Sequence, residues 1–189
     1  MPKYLFLFLS FIAAANAKEV FWFTGLPCSG KTTIAESVCK AFPEFVHLDG
    51  DVIRKTVNKD LGYSPEDRQK NLERIAQLAL AKLDEAGTVV VTTISPLETQ
   101  RDRVRQLIES GGADFYLVYV KTGLNTCIQR DVKGMYAKAL RGEIQDFTGI
   151  SAPYDPPERP DLIFATEIES LQEISVRFAE FYRTLSLKE

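Results

Sequence analysis

The apolar run Val20 to Thr24 passes straight into Gly25-Leu26-Pro27-Cys28-Ser29-Gly30-Lys31-Thr32-Thr33, and that loop into a helical pattern from Thr32 to Phe42. A strand that turns into a helix after so short a loop must cross back over the face of its own sheet, the way parallel sheets are built. The rest of the chain repeats the alternation. Phe45 to Leu48, Thr88 to Thr93, Phe115 to Val120 and Leu162 to Ala165 read as further strands, with helical patterns at Ser64 to Ala86, Leu97 to Ser110, Leu124 to Arg130 and Ser170 to Leu185. In the longest helix, Ser64 and Asp67 make a capping-box-like start, Pro65 takes the first helical position and Gly87 ends it. Leu72, Ile75, Ala76, Ala79 and Leu83 recur at helical spacing and should face the core. The expected architecture is α/β and three-layered, a central parallel five-stranded sheet covered on both faces.

The loop also has a chemistry. Gly25, Gly30, Lys31 and Thr32 stand at the phosphate-loop spacing. Small residues, Cys28 and Ser29 among them, let backbone N–H groups turn inward, and the helix behind adds its positive end, so phosphate is the natural guest. Lys31 can reach the outer phosphates, the Thr32 hydroxyl can ligate the Mg²⁺ that bridges them, and Thr33 adds a second donor. This places the fold in the P-loop nucleoside triphosphate hydrolase-like class and makes ATP and Mg²⁺ the expected cofactors, while leaving the phosphoryl acceptor open. Ligands of a parallel sheet gather at the carboxyl ends of its strands, where Asp49-Gly50-Asp51 and Ile94-Ser95-Pro96 also fall.

Composition narrows the partners. A length of 189 residues fits one domain, and a formal net charge of -3 with interspersed signs points away from nucleic acid and membrane surfaces. Cys28, Cys39 and Cys127 lack a zinc spacing and read as free thiols of a reducing compartment. The N-terminus points elsewhere: Lys3, an apolar run from Tyr4 to Ala15 and Ala15-Asn16-Ala17 have the form of a secretory leader. A cleaved signal, a membrane-proximal anchor and a misassigned start all fit residues 1–17, so the kinase-like domain is placed at 18–189. An ATP-dependent fold favours the cytoplasm, and the leader leaves a secretory or membrane-associated route open.

The acceptor is addressed by three constellations. The run TVVVTTIS ends without the acid that often holds Mg²⁺ in this class, so Asp49 and Asp51 are the candidates, one for the metal and one to orient or deprotonate a hydroxyl. Arg54 follows within a turn, and Arg68 and Asn71 share a face near the start of the long helix, a clamp suited to phosphate or sulfate oxygens, with Tyr63 able to stack on a base. Residues 129–150 mix Arg130, Lys133, Lys138 and Arg141 with glycines, as a basic lid over polyphosphate would.

In order and spacing, FWFTGLPCSGKTT, LDGDVIR, NKDLGYSPEDRQKN, TTISP, QRDVKG and GEIQDFTGI resemble the adenylyl-sulfate kinase family, over about Phe21 to Phe164. The resemblance implies transfer of the ATP γ-phosphoryl group to the ribose 3′-hydroxyl of adenylyl sulfate in sulfate assimilation. It implies adenylyl-sulfate contacts from Asp51, Arg54, Tyr63, Arg68, Asn71, Ile94, Ser95, Lys133 and Phe147. The ATP side takes Gly25, Cys28, Ser29, Gly30, Lys31, Thr32, Thr33 and Arg130. The catalytic set is then Lys31, Asp49, Asp51 and Ser95, with Asp51 on the 3′-hydroxyl, Asp49 and Thr32 on the metal, and a structural or binding role for Ser95 preferred over its phosphorylation. A homodimer and a functional link to an ATP sulfurylase come with the family. The sequence departs from the family pattern at Val52 for Asn, Tyr63 for Phe, Leu140 for Arg, Gln145 for Lys and Ser151 for Asp. A kinase of another nucleotide, such as a nucleoside diphosphoramidate, and a non-catalytic nucleotide-binding module are the alternatives.

Overall fold

The structure is a computed structural model and describes residues 18–185. The leader reading of residues 1–17 therefore lies outside the described residues. Strands β1 (Glu19–Thr24), β2 (Val46–Asp49), β3 (Thr88–Thr92), β4 (Asp114–Lys121) and β5 (Leu162–Ala165) form one sheet in the order β2-β3-β1-β4-β5, every pair parallel. The first described strand, β1, is thus the middle one; β2 forms one edge with β3 inserted between them, and β4 and β5 extend to the other edge. Helices α1 (Lys31–Ala41), α3 (Pro65–Ala86), α4 (Glu98–Ser110), α5 (Leu124–Arg130) and α7 (Leu171–Leu185) fall where the periodicity places them.

Alternation along β1 feeds both layers. Val20 and Trp22 enter a core with Leu72, Ile75 and Ala79 of α3 and Val104 and Ile108 of α4. Phe21 and Phe23 enter the opposite core with Ile34 and Val38 of α1 and Ile174 and Phe178 of α7. All of β1 is buried, which is why it reads as a continuous apolar run rather than an alternating one. The expected core face of α3 is buried throughout, and Ser64 accepts from the Asp67 N–H at 3.1 Å. The capping box is not reciprocal, however: the Asp67 carboxylate accepts from Gly62 N–H at 2.9 Å, steadying the preceding turn instead.

Two short helices were not expected. In α2 (Gly50–Lys55), Asp49 is the N-cap and its Oδ1 accepts from the N–H groups of Asp51 (2.8 Å) and Val52 (3.1 Å), converting an apparent turn into a helical start. In α6 (Met135–Leu140), the Asp131 carboxylate accepts from the N–H groups of Tyr136 and Ala137, both at 2.9 Å. Cys28, Cys39 and Cys127 are free thiols. Among the described residues no helix is long and apolar enough to cross a membrane.

Candidate active site

The loop after β1 is shaped by close approach. Gly25 has φ +156°, and a Cβ there would sit 2.6 Å from the Val120 carbonyl oxygen of β4 and 2.8 Å from Ser29 Oγ. Any side chain at this position would push the loop off the sheet. The loop carbonyls, which would repel a phosphate, are occupied by donors. Lys31 Nζ donates to the carbonyls of Gly25 (2.9 Å) and Leu26 (2.7 Å), and the Tyr136 hydroxyl donates to that of Pro27 (3.0 Å). Arg130 Nη1 donates to Ser29 O at 3.2 Å, and the hydroxyls of Thr122 and Thr166 donate to the same oxygen at 3.0 and 3.1 Å. Arg130 also bonds Thr166 Oγ1 and O, both at 3.0 Å, so it braces the loop from behind. Burial pulls the Lys31 ammonium down to about 8, against the attraction of Asp51 and Asp49. An incoming polyphosphate would replace carbonyl dipoles with full charges around that ammonium.

Across from the loop, Thr32 Oγ1 donates to Asp49 Oδ2 at 2.9 Å. Burial would raise the Asp49 carboxyl, but the hydrogen bonds from Thr32, Val52 and Asp51 outweigh it and hold it below the ordinary carboxylate value. Thr92 at the end of β3 also donates to Asp49 Oδ2 at 3.3 Å, and its oxygen lies 3.0 Å from His47 Nε2. A hydroxyl has one proton, so His47 is the donor of that pair and carries its hydrogen on Nε2. One hydroxyl and one ionised carboxylate fit Mg²⁺, which keeps its waters and takes few protein ligands beside phosphate oxygens. Among the described residues no cluster of three or more His, Cys, Asp or Glu side chains gathers to hold a metal by itself.

Asp51, in the first turn of α2, turns its carboxylate to solvent and to Lys133, whose Nζ lies 2.5 Å from Oδ2. That contact joins the lid segment to the α2 side of the cleft, and the neighbouring carboxylate holds the Lys133 ammonium above its ordinary value. Arg54 lies three residues along the same helix, its guanidinium 4.3 Å from the Tyr63 ring centroid and bonded to the Gly62 carbonyl. Arg68 approaches the same ring at 5.9 Å, donates to Tyr63 O at 3.0 Å and reaches the lid at Asp146 O, 2.6 Å away. Its burial and the nearby Arg54 charge lower its affinity for its own proton, so the pair invites an anion. Tyr63 remains 67% exposed, an aromatic ring that already draws two guanidinium groups to it. Asn71 is buried and its Oδ1 accepts from Asn58 Nδ2 at 3.0 Å, which leaves its amide N–H groups as what it can offer a ligand.

The Ile94-Ser95 turn closes the floor. Ser95 has φ +37°, is 1% exposed and accepts from the buried Trp22 Nε1 at 3.1 Å. Its carbonyl is held at 2.8 Å by Arg101, which also donates to Asp155 O at 2.7 Å and pairs with Glu98. The Ser95 hydroxyl is thus part of the packing beneath the cleft, and the Ile94 carbonyl is fixed by Thr24 Oγ1 at 2.6 Å. Phe147 packs edge-on against Tyr136, ring centroids 5.0 Å apart.

The fold therefore brings Lys31, Thr32, Asp49 and Asp51 to one end of the sheet, with Arg54, Tyr63 and Arg68 on its α2–α3 side. Tyr136, Arg101, Trp22 and Asn58 take part without having been singled out in the sequence. A buried arginine looks like any charge on an exposed helix face, and only the apolar setting of Tyr136 within a basic segment hinted at burial.

Comparison with known proteins agrees with this geometry. The model of the family described as adenylylsulphate kinase matches residues 17–165. Adenylyl-sulfate kinases of Staphylococcus haemolyticus and Acaryochloris marina are 43% and 45% identical to the chain, over 87% and 88% of it and 83% and 82% of their own lengths. A Mycobacterium tuberculosis APS kinase solved in complex with AMPPNP and APS superposes with a TM-score of 0.84 at 39% identity, covering 89% of this chain and 99% of that one. The chain belongs to the adenylyl-sulfate kinase family.

Proposed function

We propose that the protein transfers the γ-phosphoryl group of ATP to the ribose 3′-hydroxyl of adenylyl sulfate, giving 3′-phosphoadenylyl sulfate, ADP and a proton. The observation that carries this reading is the exposed Tyr63 ring with Arg54 and Arg68 both drawn to it, Arg54 on the same helix as Asp51. An aromatic plane suits a purine and paired guanidinium groups suit phosphate and sulfate oxygens. Asp51 orients the 3′-hydroxyl and takes its proton, with Lys133 holding that carboxylate from the far side of the cleft until the acceptor arrives. Lys31 moves from the loop carbonyls to the transferred group and stabilises the charge that develops there. Arg54, Arg68, Asn71, Ile94, Ser95, Lys133 and Phe147 complete the acceptor site, Ser95 by holding the floor of the cleft. Gly25, Cys28, Ser29, Gly30, Thr32, Thr33 and Arg130 form the ATP side. Mg²⁺ held by Thr32 and Asp49 would neutralise charge on the outer phosphates.

The same proposal takes residues 18–189 as one kinase domain working in the cytoplasm as a homodimer, its acceptor supplied by an ATP sulfurylase. The test is ADP release by the chain lacking residues 1–17 across a panel of nucleotides, including a nucleoside diphosphoramidate because Val52 and Leu140 present exposed apolar side chains. Turnover confined to adenylyl sulfate is expected; turnover confined to another nucleotide would replace the acceptor assignment.

A further inference from the structure

We infer that Tyr136 is a positioning residue that sets the phosphate loop and the acceptor-side aromatic Phe147 as one unit. The second half of that statement rests on the acceptor site proposed above. Tyr136 is 0% exposed although it sits in a segment rich in lysine, arginine and glycine, and its two ends touch opposite halves of the site. The hydroxyl donates to Pro27 O at 3.0 Å, while the ring takes Phe147 edge-on at 5.0 Å. Its backbone is fixed as well, since the Tyr136 N–H is capped by Asp131.

The contact is reinforced from the other side. Gly149 has φ +91°, and a Cβ there would come within 3.0 Å of Leu26 Cδ2, 3.1 Å of Leu124 Cδ1 and 3.9 Å of the Tyr136 hydroxyl. The turn that carries Phe147 is therefore laid against Leu26 and Leu124 and in contact range of Tyr136, so a side chain at Gly149 would force the two leucines aside. Pro27 can supply no N–H, so its carbonyl is its only polar main-chain group, and the one donor that reaches it within the described residues is Tyr136. Burial pushes the phenol well above its ordinary value, so it remains a donor at every pH at which the enzyme works. The hydroxyl and the ring are thereby given separable tasks: the hydroxyl orients the phosphate loop, and the ring orients Phe147.

The test separates them in the chain lacking residues 1–17. Tyr136→Phe keeps the ring and removes the donor; it should weaken binding of a non-hydrolysable ATP analogue about three- to tenfold, the range of one hydrogen bond, with the KM for adenylyl sulfate unmoved. Tyr136→Leu removes the edge-on contact and should raise the KM for adenylyl sulfate beyond any change seen in Tyr136→Phe. Analogue binding by calorimetry needs no acceptor, so it judges the hydroxyl whether or not adenylyl sulfate proves to be the substrate. Unchanged analogue affinity in Tyr136→Phe would overturn the hydroxyl's role. Equal weakening of both substrates in both variants, together with a lowered melting temperature, would reduce Tyr136 to a packing residue.

Discussion

Replacing Asp51 by Asn separates the chemistry from the fold. Among the described residues the carboxylate has one hydrogen-bond partner, Lys133 at 2.5 Å, and both side chains are mostly solvent-exposed, 63% and 60%. Exposed pairs contribute about 0–1 kcal/mol. Loss of an acid from the first turn of α2 is partly offset by relief from the like charge of Asp49, two residues away. The fold should therefore lose no more than about 1 kcal/mol, a fall in melting temperature of about 2–4 °C for a domain of this size. Turnover should fall far more, because a group that orients and deprotonates the attacking hydroxyl contributes about 10²–10⁴-fold, or ~2.7–5.4 kcal/mol of barrier. The assay pairs coupled ADP release under saturating substrates with thermal unfolding and calorimetric binding of an ATP analogue. The expected result is a large loss of turnover with analogue affinity and melting temperature close to the parent. Turnover within about threefold of the parent would refute the assignment of Asp51 to the hydroxyl, since that is far below the range for a general base.

Three further outcomes follow from the same geometry. With Lys31 titrating at about 8 in the nucleotide-free protein, affinity for the ATP analogue should fall by up to about tenfold per pH unit above pH 8. Because burial lowers this lysine, the unfolded chain binds its proton more tightly, so the Lys31 contribution to stability rises across the interval from about 8 to 10.5; the Lys31→Met variant should lose both dependences. Ser95→Ala leaves the buried Trp22 Nε1 without its acceptor and should cost about 1–3 kcal/mol in denaturant unfolding while keeping most turnover; abolished turnover at unchanged stability would give Ser95 a direct chemical role. Arg68→Ala removes the contact to Asp146 O and one side of the Tyr63 platform, and should raise the KM for adenylyl sulfate about tenfold or more with ATP affinity intact; equal weakening of both substrates would contradict it.

The strands were legible to within a residue or so because the central strands β1 and β3, buried at every position, write themselves as apolar runs, and the others are short apolar segments between helical patterns; α3 was legible because its cap, its proline and its apolar stripe agree. The helices α2 and α6 were not. Each has six residues, too few for a periodicity to develop, and each owes its start to a tertiary or capping carboxylate, Asp49 or Asp131, whose side-chain direction no pattern reveals. The same distinction governs the site. Lys31 and Thr32 could be named because phosphate chemistry demands them at that spacing, and Asp49 and Asp51 because the run TVVVTTIS ends without an acid for the metal. The division of labour between Asp49 and Asp51 came from the family resemblance; what no pattern revealed is that one carboxylate lies inside a cap with Thr32 and the other faces Lys133. Arg101 shows the limit from the other direction. It lies in a strongly charged stretch of α4, yet it is 1% exposed and joins the Ser95 and Asp155 turns, which are 60 positions apart.

The most direct test of the central claim is the position of the transferred phosphate. The chain lacking residues 1–17 would be incubated with Mg²⁺, ATP and adenylyl sulfate, and the isolated product examined by mass spectrometry and by phosphorus–proton coupled NMR. The account predicts a monophosphorylated adenylyl sulfate whose new phosphorus couples to the ribose H3′ proton. A product phosphorylated elsewhere, or ATP consumed with adenylyl sulfate left unchanged, would contradict it.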